Sequence, residues 1–99
     1  MISKEVNKYV KLTGDTLVRT GGGRIHTLTF SCNDTAPTAG SIIIYDNTAE
    51  SGTEILNIAF STTYFAPFTV TLDVLFAVGL YVGFTTTNDV NLTISYNTQ

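Results

Sequence analysis

The sequence predicts an all-β protein, an antiparallel β-sandwich or jelly-roll-like fold of about seven or eight short strands. Three observations lead there. β-Branched and aromatic residues dominate, with 18 Thr, and these fit a pleated, half-buried surface better than a helix. Apolar and polar residues alternate with a period of two, and no segment sustains a 3.6-residue period. Turn-forming clusters of Gly, Asn, Asp and Ser recur at about the 8–12-residue spacing of a sandwich.

Residues 1–14 read as an N-terminal arm or edge segment, since Val6, Tyr9, Val10 and Leu12 follow no clean period before the Gly14-Asp15 turn. Residues 15–99 form a single β-sandwich domain, and 99 residues leave no room for a second core. Asp15 to Thr20 is a short strand ended by Gly21-Gly22-Gly23, read as a flexible bend. From Arg24 to Cys32, His26, Leu28, Phe30 and Cys32 share one predicted face, and Thr27, Thr29 and Ser31 share the other. Ser41 to Asp46 is apolar on both faces, as a central strand covered twice would be. A turn-rich hairpin connection follows to Gly52. Thr53 to Phe60 puts Leu56, Ile58 and Phe60 in one row, and Phe68, Val70 and Leu72 make another. Leu80 to Thr85 forms the next strand. In the last, Val90, Leu92, Ile94 and Tyr96 face in while Asn91, Thr93, Ser95 and Asn97 face out.

Bulky residues in Tyr64-Phe65-Ala66-Pro67-Phe68 and Leu75-Phe76-Ala77-Val78 stand where connections belong. Two explanations stay open: a subunit interface, or loops that plug the ends of the sandwich.

The bulk numbers exclude several classes. A net charge of −3 argues against a nucleic-acid-binding domain. No apolar run approaches the roughly 18 residues of a spanning helix, so no membrane partner is expected. Met1 to Lys4 is followed by no apolar stretch, which predicts a chain without a signal peptide. Cys32, the single cysteine, cannot make an internal disulfide, so the design is not one for an oxidising compartment.

Reactive chemistry is scarce. One His and one Cys cannot supply a His-rich metal site, and on one strand face His26 and Cys32 lie about 20 Å apart, too far for a dyad. Cys32 reads as a small buried hydrophobe and His26 as an end-of-core histidine. Asp46, Glu50 and Glu54 read as solvated turn acids, and DNTAESGTE lacks the spacing of an EF-hand loop. Gly21-Gly22-Gly23 lacks the Lys-Ser/Thr of a phosphate cradle. No catalytic, cofactor or metal residue is assigned, and the expected protein is not an enzyme.

The charges themselves are segregated. The chain has five cations, Lys4, Lys8, Lys11, Arg19 and Arg24, and beyond Arg24 it carries only acids: Asp34, Asp46, Glu50, Glu54, Asp73 and Asp89. Such asymmetry points to association: a cationic leading end that docks on an acidic neighbour.

LVRTGGGRIHTLTF (Leu17 to Phe30), GSIIIYDNTAESGTEI (Gly40 to Ile55), GLYV (Gly79 to Val82) and VNLTISY (Val90 to Tyr96) together resemble small β-sandwich virion proteins of tailed bacteriophages. The likeness covers most of the chain from Leu17 onward. It implies a non-enzymatic capsid decoration (cement) or head-fibre type of protein, homo-oligomeric and trimeric by preference. Its partner would be the major capsid protein or another virion protein, its place the capsid surface after synthesis in the host cytoplasm. Lys4, Lys8 and Lys11, with Arg19 or Arg24, are then expected to meet acidic capsid surface. Tyr64, Phe65 and Phe68 would serve the contact between protomers or the capsid footprint. The alternative is a carbohydrate- or receptor-binding or fibre-associated module, for which a flat exposed aromatic strip beside Asn or Asp is the expected sign.

Overall fold

The computed structural model describes residues 8–32, 35, 39–85 and 90–98. Their strands are β1 (Lys8–Leu12), β2 (Thr16–Thr20), β3 (Gly23–Cys32), β4 (Gly40–Tyr45), β5 (Glu54–Phe60), β6 (Phe68–Phe76), β7 (Gly79–Phe84) and β8 (Val90–Asn97). Sheet 1 has the order β1-β8-β3-β6 and sheet 2 the order β2-β7-β4-β5, with every pairing antiparallel. The pairs nest: β1 with β8, β2 with β7, β3 with β6, β4 with β5. A long hairpin of the two chain halves, rolled so that β3 also meets β8 and β4 meets β7, is the jelly-roll topology.

The core follows from alternation. Rows Leu12–Leu92–Phe30–Phe68 and Val10–Ile94–Leu28–Val70 cross sheet 1 on its inner face. Ile42, Ile44, Leu80 and Val82 answer them from sheet 2, and all four are essentially inaccessible. Burial of such side chains stabilises by roughly 1.5–3 kcal/mol each before chain entropy is counted. Lys8 to Leu12 is therefore the edge strand of sheet 1, with its register fixed by Val10 and Leu12.

Bulges explain where the simple alternation misleads. Between Ile25↔Val74 and Thr27↔Thr71, β6 carries an extra residue, and Asp73 there has φ of 49°. Val74 and Phe76 keep the core face of Val70 and Leu72, so Leu75-Phe76 belongs to a strand rather than to a connection. The phase flips on β3 instead, between Leu28 and Ile25. On β3 the same break lies at His26. Ile25, fully buried, takes the core position, while His26 sits half-exposed and its Nδ1 meets Asp73 Oδ1 at 2.6 Å. His26 is thus no end-of-core histidine, and Cys32, at the far end of β3, is only half-buried.

Two other expectations change. Asn91 and Asn97 are buried, although the register keeps them on the face of β8 opposite Leu92 and Ile94. The glycine run is not a flexible bend. Gly21 takes φ of 100° and donates its N–H to the Val78 carbonyl at 2.9 Å, while Gly23 is already inside β3.

Asp46 is more than a solvated turn acid. The N–H groups of Ala77, Val78 and Gly79 donate to its carboxylate at 3.0, 2.8 and 3.3 Å. Three successive N–H groups make a small anion nest at the turn that carries the chain from sheet 1 to sheet 2. Burial alone would raise the Asp46 pKa, but these hydrogen bonds outweigh it and hold it below the usual carboxylate value. Asp46→Ala should cost about 1.5–3 kcal/mol at neutral pH. Because the folded value is depressed, this stabilisation is present above the unfolded carboxylate value of about 3.9 and is lost as pH falls through the lower, folded one. Urea melts of both proteins should therefore differ most at neutral pH and converge in acid. A gap of the same size in strong acid would contradict the nest.

Candidate functional site

The structure places the predicted contact residues on two separate surfaces. Lys8 and Lys11 lie exposed on β1, and Arg19 lies on β2, the corresponding edge of the other sheet. Lysines on an edge strand also discourage indiscriminate strand addition. Arg19 is anchored: its Nε donates to the Gly22 carbonyl at 2.8 Å. Arg24 is half-buried on β3, beside Asn97 of β8 and Leu75 of β6. Lys4 lies outside the described residues.

Tyr64, Phe65 and Phe68 belong to the opposite, β5/β6 edge, about 14 Å away across three strand spacings. Phe65 stacks on Phe60 with ring centroids 5.2 Å apart and meets Phe68 edge-on at 5.4 Å. Phe68 in turn stacks on the buried Phe30 at 5.2 Å. The connection between β5 and β6 thus closes this end of the sandwich, as the plugging explanation expects. Tyr64 (51% exposed) and Phe68 (37%) still present ring surface to solvent.

A third surface was missed by sequence reasoning, although the doubly apolar SIIIYD signalled it. On the outer face of sheet 2 the row Leu17–Tyr81–Tyr45–Glu54 spans all four strands, and Gly83–Ile43–Asn57 runs alongside. The Tyr45 and Tyr81 rings lie 6.4 Å apart, tilted by 60°. Glu50 folds back from the β4–β5 connection onto Gly83, where an added Cβ would collide with its carboxylate. Asp15 closes the other side, its Oδ1 accepting the Phe84 N–H at 2.6 Å. Burial first, then Glu54, Glu50 and Asp15, raise the Tyr45 phenol above its ordinary pKa; burial, Asp15 and Glu50 do the same for Tyr81. Both hydroxyls stay protonated, and the carboxylates give the face a negative rim.

His26 and Asp73 pair at an exposed bulge, and among the described residues no group of three or more His, Cys, Asp or Glu could hold a metal ion. No described helix is long and apolar enough to cross a membrane. Comparison with known proteins found no match among family models, curated proteins or solved structures. The class defined is therefore architectural: an eight-stranded jelly roll with a cationic edge, an aromatic end and an acidic tyrosine face. Such a fold hosts many functions, so function has to be argued from these surfaces.

Proposed function

We propose that the chain is a non-enzymatic virion structural protein, a capsid decoration protein that binds the outer capsid surface and stabilises the shell. The observation that carries this reading is the segregation of Lys8, Lys11 and Arg19 along one edge, away from the exposed rings of Tyr64 and Phe68. Two chemically distinct contact surfaces on one small domain suit a clamp that touches two neighbours. In this reading the cationic edge meets acidic protein surface in the assembled shell, and Tyr64, Phe65 and Phe68 form the capsid footprint. Repetition as a homo-oligomer, a trimer by the likeness of its motifs to phage virion proteins, multiplies weak contacts. Binding the assembled state in preference to free subunits then stabilises the shell by mass action.

The sugar- or receptor-binding alternative needs a flat exposed aromatic platform. Tyr45 is only 7% exposed and is tilted against Tyr81, so sheet 2 offers none.

The test is co-sedimentation with empty capsid shells of the virion that carries the chain. Wild-type protein should pellet with shells, and Tyr64→Asp should bind at least about tenfold more weakly, a loss of about 1.4 kcal/mol. Wild-type protein that remains in the supernatant at low salt would contradict the proposal.

A further inference from the structure

The two outer faces of the sandwich differ in kind. Across sheet 1 the rows read Ser95–Thr27–Thr71 and Thr93–Thr29–Thr69, all hydroxyls, with Thr29 and Thr69 hydrogen-bonded at 2.9 Å. The middle of this face is the polar surface expected of an antiparallel sheet turned to water, with exposed Tyr9 and Leu75 on its two edge strands. Sheet 2 departs from it with Leu17, Ile43, Tyr45 and Tyr81, and Leu17 remains 44% exposed.

We infer that this sheet 2 face receives the β1/β2 edge of a second copy of the chain, resting on the decoration reading for the setting in which the contact operates. The charges identify the occupant. Asp15, Glu50 and Glu54 surround the tyrosines, and among the described residues no Lys or Arg comes within ion-pair distance of them. Lys8 and Lys11 likewise meet no described carboxylate in their own chain. Among the described residues, each set lacks in one copy what the next copy holds. Face-to-face pairing of two sheet 2 surfaces would instead oppose like charges, which costs affinity. Edge and face are different patches, so the contact is heterologous and closes into a ring when the rotation allows. Leu17, Ile43 and Tyr81, which keep exposed surface, supply its apolar area, with the ion pairs at its rim.

Sedimentation equilibrium of the isolated full chain tests this without shells. Wild-type protein should have a mass that is a multiple of the monomer, decreasing as salt rises. Lys8→Glu with Lys11→Glu should weaken self-association at least about tenfold, and so should Glu50→Lys with Glu54→Lys. All four changes together should restore it, because the edge and the face then exchange signs. Circular dichroism matching wild type shows that each variant is folded, so a lost oligomer is not a lost domain. A wild-type monomer, or an oligomer indifferent to either reversal, overturns the inference. A monomer that still pellets with shells would overturn this contact and leave the decoration role standing; oligomers that ignore shells would do the reverse.

Discussion

Phe30→Ala should lower stability by about 3–5 kcal/mol, the largest effect of any single side-chain truncation in the domain. Phe30 is fully buried and forms the centre of the aromatic cluster, 5.2 Å from the Phe68 ring and 5.7 Å from Phe60. Phe65 rests on both of those partners, so the cavity left by Phe30 would also remove the support beneath the β5–β6 connection. A domain of this length has about 5–15 kcal/mol in total, and its melting temperature should fall by more than about 10 °C. Tyr64→Ala, half-exposed beside the same cluster, should stay within about 0.5 kcal/mol of wild type. Thermal melts of the two variants separate the end-closing role of the loop from its surface role. Equal losses would mean that Tyr64 also belongs to the packed end.

Gly23→Ala is the second large effect, expected at about 3 kcal/mol, the upper end for overpacking. A Cβ at Gly23 would lie 2.5 Å from the Asn97 carbonyl oxygen and 2.6 Å from Cζ of Phe76. The ring is itself buried, and the carbonyl belongs to the β8 backbone paired with Arg24. Relief therefore requires β3 and β8 to separate at the end of sheet 1, which loses ladder hydrogen bonds as well as packing. Gly14→Ala is the matched control, since nothing lies within 4 Å of its added Cβ. That change should move stability by no more than about 0.5 kcal/mol. Chemical denaturation of both variants checks the contrast, and a Gly23→Ala protein as stable as wild type would contradict the close approach.

Local pattern revealed the strands wherever local pattern governs them. The alternation of Val90, Leu92, Ile94 and Tyr96 follows the core face of β8, and the doubly apolar SIIIYD lies in an interior strand. Phase was lost on β3 at His26 because its bulge is set by register against a distant strand, His26 and Asp73 being 47 residues apart in the chain. Asp46 looked like an ordinary turn acid for a related reason: its three donors come from another connection, more than thirty residues away. The cations were conspicuous as a run along the chain. That β1 and β2 would place Lys8, Lys11 and Arg19 on one lateral edge, with the aromatic rings on the other, depends on the order of strands in two sheets. The tyrosine face required still more, since Leu17, Ile43, Tyr45 and Tyr81 come from three different strands and read singly as core or scatter.

Amine-reactive labelling of Lys8 and Lys11, read by mass spectrometry in dilute free protein and in the assembled state, addresses the adhesive role of the cationic edge most directly. Both side chains are exposed in the single domain, so free protein should label fully. On assembly their labelling should fall several-fold. Undiminished reactivity of both lysines in assemblies shown to contain the protein would mean that the edge faces water there and takes no part in holding them together.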